Sequence, residues 1–181
     1  MARDKEQISS ELLIVRCRLG ERAAWEQLVR DWEPKLLYFV RRLVDDESDA
    51  LDVLQQTWLK VFRRIGTLED PGALAPWLYQ IARNTALNHR RVQAAYRAAI
   101  AEEQNHRREQ GEDQTISCDN AELVHYGLAR LSLAQREVLT LYFLEGWNVE
   151  RIAQVLGVPS GTVKSRLFHA RNALRECLSQ D

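Results

Sequence analysis

The stretch Asn148 to Arg175, N-V-E-R-I-A-Q-V-L-G-V-P-S-G-T-V-K-S-R-L-F-H-A-R-N-A-L-R, decides how the rest of the chain is read. Val149, Ile152, Ala153 and Leu156 recur at helical spacing, so a first helix buries one face. Gly157 ends it, because glycine takes the left-handed conformation after a helix without a Cβ clash. Pro159 forbids continuation, and Ser160 is an N-cap for a second helix. In that second helix Val163, Leu167, Ala170 and Leu174 form the buried stripe. Its remaining surface carries Thr162, Lys164, Ser165, Arg166, Phe168, His169, Arg171 and Arg175, with Ser160 at its start. A basic, hydroxyl-bearing face with one aromatic suits the DNA major groove, where a recognition helix presents its first turns to base edges. A solvated helical hairpin is the plainer reading. The tight turn with Gly157, Pro159, Ser160 and Gly161 favours a DNA-binding helix-turn-helix.

Bulk properties narrow the class. The chain has 181 residues, of which 45% are hydrophobic, and a formal net charge of −1. That is room for one or two packed domains, and attraction to nucleic acid must come from local basic patches. No apolar run approaches the roughly 20 residues needed to span a membrane. The opening M-A-R-D-K-E-Q lacks the apolar core of a signal peptide, so a cytoplasmic protein without membrane insertion is expected. Cys17, Cys118 and Cys177 form no C-x-x-C pair and read as free thiols. His89, His106, His125 and His169 show no ligand spacing, and neither a phosphate loop nor a nucleophile elbow occurs. No catalytic group, metal or cofactor is expected.

Before the helix-turn-helix the pattern is helical throughout, predicting an all-α fold. Ser9 or Ser10 caps a first helix that Gly20 ends. Ala24, Leu28, Trp25 and Trp32 mark a second, and Pro34 starts a third bearing Leu36, Leu37, Val40, Leu43 and Val44. An acidic turn, residues 45–48, precedes a long helix from Asp49 to Ile65. Its expected core stripe is Leu51, Leu54, Trp58, Val61, Phe62 and Ile65. Its other side bears Asp52, Gln55, Gln56, Leu59 and Arg63, which spacing alone leaves equally open as a solvated face or a docking surface. After a loop from Gly66 to Gly72, the chain resumes helix at Ala73 and buries Leu74, Trp77, Leu78, Ile81, Ala82 and Thr85. Arg83, Asn84, Asn88, His89, Arg90 and Arg91 make a second basic patch, suited to nucleic acid or to a solvated helix end.

The pattern loosens from Val92 to Asp119, a polar, acidic, flexible linker whose first part can extend the preceding helix. A second unit begins near Asn120, with Leu123, Tyr126 and Leu131. Ser132 and Gln135 match a capping box. Val138, Leu139, Tyr142 and Phe143 form a stripe that Gly146 stops. Trp147 and Ile152 are placed as a hydrophobic staple. The boundaries are thus residues 1–95, a linker over 96–119, and 120–181. The last is a four-helix helix-turn-helix domain.

Two stretches resemble the sigma-70 family of bacterial RNA polymerase factors, in its extracytoplasmic-function (ECF) subfamily. Asp49 to Arg64, D-A-L-D-V-L-Q-Q-T-W-L-K-V-F-R-R, with Pro76 to Arg91, P-W-L-Y-Q-I-A-R-N-T-A-L-N-H-R-R, is similar to region 2. Leu131 to Gly146, with the helix-turn-helix, is similar to region 4. The resemblance implies a promoter-specificity subunit without its own catalysis. Asp52, Gln55, Gln56 and Leu59 would then dock on the clamp helices of the polymerase largest subunit, with the β flap as a further contact. The resemblance gives the −10 element to Arg83, Asn84, Asn88 and Arg91, where a melted base can be held out of the stack. It gives the −35 element to the helix-turn-helix. An anti-sigma factor is a further implied partner. The chain departs from the family where Gln56 replaces a common Glu, where Arg151 replaces an acidic residue, and in the loop from Ile65 to Leu74. The competing reading is a stand-alone helix-turn-helix regulator.

Overall fold

The computed structural model describes residues 2–103 and 131–179. In chain order the helices are α1 (Ala2–Arg18), α2 (Arg22–Arg41), α3 (Glu47–Arg64), α4 (Leu74–Glu103), α5 (Leu133–Leu139), α6 (Val149–Leu156) and α7 (Ser160–Ser179). Short 3-10 turns at Ile65–Thr67 and Pro71–Ala73 join α3 to α4, and a π-helical turn, Thr140–Leu144, follows α5. No strand occurs among the described residues. The fold is all-α, with two helical units.

Helices α2, α3 and α4 pack on one another, with α1 against α2 and the two 3-10 turns. Ile14, Leu28, Leu36, Phe39, Val40, Val53, Val61, Leu78 and Ala82 are buried between them. Two buried threonines return their hydroxyls to their own helix: Thr57 donates to the Val53 carbonyl and Thr85 to that of Ile81. An apolar interior therefore accepts them without an orphaned polar atom. Arg18 crosses from α1 to donate to the carbonyls of Ile65 and Leu68, tying down the turn after α3.

Several boundaries differ from the sequence reading. Helix α1 starts at Ala2, so Ser9 and Ser10 lie inside it and cap nothing. Pro34 lies inside α2 rather than at a new start. It sits on the exposed side, where the carbonyl its ring leaves unbonded can meet water. Helix α3 begins two residues early, at Glu47. Asp46 supplies its cap by accepting from the Ser48 N–H at 2.9 Å, and Glu47 and Asp49 complement the helix dipole. The Ser48 amide in turn holds the Asp46 carboxyl below its usual range. Helix α4 runs unbroken through Val92 to Glu103, so residues 96–103 are helix rather than linker. The rest of the expected linker and the helix near Asn120 lie outside the described residues.

The core stripe of α3 is rotated from the expected one. Ala50, Val53, Leu54, Thr57, Trp58 and Val61 point inward, while Leu51 is 51% and Phe62 48% exposed. The reason is packing distance. Ala50 and Thr57 are small enough to let α3 lie close to its neighbours, and a count of large apolar residues overlooks them.

In the C-terminal unit the local signals hold except at Ser160. The capping box forms: the Gln135 side chain accepts from the Ser132 N–H at 2.9 Å, and Ser132 Oγ accepts from the Gln135 N–H at 3.4 Å. Asn148 caps α6 by accepting from the Arg151 N–H at 2.9 Å, so the cap needs no acid at position 151. Gly157 ends α6 at φ 65°, ψ 37°, in the left-handed region. Ser160 is already helical. The Val163 N–H bonds back to the Pro159 carbonyl, so Pro159 occupies the cap position in its place. Trp147 and Ile152, the expected staple, are both buried.

Candidate nucleic-acid and polymerase interface

Three surfaces carry the residues singled out in the sequence. The first is the outer face of α3. Asp52, Gln55, Gln56 and Leu59 are all exposed, Leu59 by 52%. Their spacing of three, one and three residues places them on one side of the helix. Leu51 and Phe62 extend this face at the same period, so it carries a row Leu51, Gln55, Leu59, Phe62 flanked by polar groups. The sequence reading assigned Leu51 and Phe62 to the core. Their signal was an apolar residue on both sides of one helix. Phe62 stacks on Trp25 at 3.9 Å between ring centroids. Beside them Gly20, Glu26, Val29 and Arg30 help line a groove of about 640 Å³ between α2 and α3.

The second surface is α7. Val163, Leu167 and Ala170 are buried, which turns Lys164, Ser165, Phe168, His169 and Arg171 outward. Phe168 is 63% exposed, with the His169 ring edge-on to it at 5.5 Å. An aromatic this exposed contributes nothing to the domain's own core, so its apolar surface is free for a thymine methyl or a sugar. Ser160 lies exposed at the helix start, whereas Thr162 and Arg166 are half-buried on the flank. Arg171 lies over the rings of Tyr142 and Phe143, at 5.1 and 5.2 Å. This cation–π clamp fixes the guanidinium beside the π-helical turn and leaves it exposed. Tyr142 keeps its expected place against the core, whereas Phe143, placed in the same stripe by the sequence, is 58% exposed and turned toward the cation.

The third surface is on α4. Asn84, Asn88 and Arg91 are exposed and share one side of the helix. Arg83 is not with them. It is 17% exposed, and its Nε donates to Glu137 Oε1 of α5 at 2.7 Å. Nη2 donates to Glu137 Oε2 at 3.3 Å. Around this pair α4 meets the C-terminal unit. Tyr79 packs edge-on to Trp147 at 4.9 Å and to Phe39 at 5.0 Å, and α6 lies against α4. Burial pushes the Tyr79 phenol far above its ordinary range, helped by the Glu145 carboxylate beside it. Glu137 was missed in the sequence because an acid next to a capping box reads as solvated.

The Sigma-70 region 2 pattern matches residues 28–96, and the Sigma-70, region 4 pattern matches residues 121–174. The RNA polymerase sigma-H factor of Pseudomonas aeruginosa is 34% identical over 183 residues, covering 95% of each chain. The chain belongs to the sigma-70 family. The ECF RNA polymerase sigma-E factor of Haemophilus influenzae is 30% identical, covering 93% of this chain and 95% of its own. Among solved structures, the sigma factor RpoE of Bartonella quintana, in complex with the anti-sigma factor NepR, superposes with a TM-score of 0.71 at 26% identity. That match covers 86% of this chain and 97% of the other. This ECF-type sigma factor binds core RNA polymerase and directs promoter-specific transcription initiation through −10 recognition and melting and −35 recognition. In it, region 2 comprises α2 to α4 and region 4 comprises α5 to α7.

Proposed function

We propose that the sigma factor docks on the clamp helices of the polymerase largest subunit through Asp52, Gln55, Gln56 and Leu59, joined by Leu51 and Phe62. What carries this reading is the exposed row on α3: an apolar line among amides and a carboxylate, with Leu51, Leu59 and Phe62 each about half exposed although Phe62 also stacks on Trp25. An isolated surface Leu needs no explanation, but four large side chains at one helical period on one face do. Region 4 then reaches the β flap and lays α7 in the major groove of the −35 element. Asn84, Asn88 and Arg91, with Arg83 once it is accessible, hold the melted −10 strand. The factor contributes no catalytic group or cofactor; the chemistry is the polymerase's. Among the described residues no helix is long and apolar enough to cross a membrane. The site of action is the cytoplasm, where polymerase and promoter meet. An anti-sigma factor is a natural partner, given the complex formed by the Bartonella protein.

The balance of affinities tests the docking. With a net charge of −1 there is little long-range attraction to phosphate. The free factor should bind core polymerase tightly and isolated promoter duplex weakly at the same salt concentration. Duplex binding as tight as core binding would overturn the proposal.

The outward set on α7 divides by chemistry. Ser165 and His169 face base edges, so Ser165→Ala or His169→Ala should change the preferred −35 sequence at one position, by about 1–3 kcal/mol. Lys164 and Arg171 meet phosphates, so Lys164→Ala and Arg171→Ala should weaken every sequence alike and flatten the salt dependence. Transcription from a library of −35 variants separates the two classes. If Lys164→Ala moved the preferred sequence and His169→Ala did not, the helix would sit in the groove by another face.

A further inference from the structure

Three guanidiniums come together beyond the Arg83–Glu137 pair. Arg90 lies on the same side of α4 as Arg83. Its Nη1 donates to the Leu43 carbonyl and to Asp45 Oδ1, each at 2.9 Å. Those bonds set it against the turn after α2, where Arg42 lies over the Tyr38 ring at 4.5 Å. Helix α5 brings Arg136, the neighbour of Glu137, within electrostatic reach of both Arg90 and Arg42. Burial first, and then Arg90, hold the Arg136 pKa below its ordinary range; Arg42 acts the same way and Asp45 against it. Its Nε is buried and makes no hydrogen bond among the described residues. A buried N–H left unmet is costly, and two like charges against one opposite charge add to the cost.

The anion that suits this cluster follows from how the nearby carboxylates are used. A carboxylate has two oxygens in one plane, and at Glu137 a single guanidinium bonds both. A partner's carboxylate would be filled by one arginine in the same way. A phosphoryl group presents three strong acceptor oxygens around a tetrahedron and carries up to two negative charges, so several guanidinium forks can share it. The cluster opens to solvent, with the Arg90 side chain 32% and that of Asp45 57% exposed. All three arginines are half-buried, which favours a phosphate arriving alone or at the end of a small molecule over one fixed in a rigid duplex. We propose that Arg42, Arg90 and Arg136 form a binding site for a phosphoryl group, as the free ion or at the end of a phosphorylated small molecule such as a nucleotide. The bound phosphate gives Arg136 Nε an acceptor and offsets the like charges around it. Asp45 competes with it for Arg90. The site shares no residue with the −10 set, the α3 row or α7, so it stands independently of their assignments.

Isothermal titration calorimetry of the full-length factor tests the site. Inorganic phosphate and ATP, without magnesium, are the probes, and sodium chloride holds the ionic strength constant. At least one should bind saturably with a Kd of about 1 mM or below. Tighter binding of ATP makes the occupant the end of a phosphorylated molecule, and equal or tighter binding of inorganic phosphate makes it the free ion; both support the site. Arg136→Gln loses a charged donor and should weaken the tighter probe at least about tenfold, with helix content by circular dichroism unchanged. Asp45→Asn removes the competing carboxylate from an exposed turn and should tighten the same probe at least about threefold. Uptake of neither probe by wild type would overturn the proposal. So would an Arg136→Gln protein that binds as wild type does, or an Asp45→Asn protein that gains no affinity. Weaker binding of promoter duplex by Arg136→Gln, without uptake of either probe, would overturn it in favour of a contact to the DNA backbone. If Arg136→Gln loses helix content, Asp45→Asn decides alone.

Discussion

Leu59→Asp should abolish promoter-dependent transcription while leaving the free protein folded. Leu59 is 52% exposed, so a carboxylate there stays hydrated in the free chain, where such surface changes cost within about 0.5 kcal/mol. In the complex the same carboxylate sits in the apolar row between Gln55 and Phe62 and must shed its water. An unpaired charge in a closing interface costs about 3 kcal/mol or more, roughly a hundredfold in Kd. Gln55→Ala with Gln56→Ala, which removes hydrogen bonds without placing a charge there, should cost less. Affinity for core polymerase is the measurement, with the melting temperature of each variant alongside. Gln154→Asp, at an exposed position of α6, is the matched control. Loss of melting temperature without loss of core affinity would make this face structural.

Ile152→Ala should disable −35 recognition from a distance. Ile152 is fully buried on α6, the helix that supports α7 from behind, and it touches no DNA in the docking described above. Truncation to Ala at such a site costs about 2–5 kcal/mol, and a domain of this size has little more to lose. Region 4 should unfold at lower denaturant concentration than region 2, giving two transitions by circular dichroism. Core binding through α3 should survive while transcription from −35-dependent promoters falls. A loss of stability below about 1 kcal/mol would mean that the helices collapse into the space the side chain leaves.

Both variants probe features that differ in how far the sequence exposed them. The inward set of α7 followed from Val163, Leu167 and Ala170, because the side that meets α5 and α6 is a single stripe whose period is local. Helix α3 has packing on one side and an open apolar row on the other. Its period therefore fits two stripes, and Leu51 and Phe62 were assigned to the wrong one. Arg83 shows the same difficulty at longer range. Beside Asn84, in a run of polar residues, it reads as part of a nucleic-acid face. Its partner Glu137 lies beyond the segment from 104 to 130, and no periodicity links two positions so far apart.

What the sequence determined by itself is the punctuation of the helices in region 4 and the character of their surfaces. The capping box at Ser132, the cap at Asn148 and the left-handed stop at Gly157 are each satisfied within a few residues, so their energetics are complete in the local chain. The two family motifs are legible for the same reason, as fixed spacings along single helices. Tertiary structure alone decided the continuity of α2 through Pro34, the rotation of α3, and the closing of Arg83 on Glu137. Each of these depends on which side of a helix meets a neighbour. A proline is tolerated where its carbonyl faces water, a small residue becomes core where a neighbouring helix comes close, and a charge becomes buried where another domain covers it.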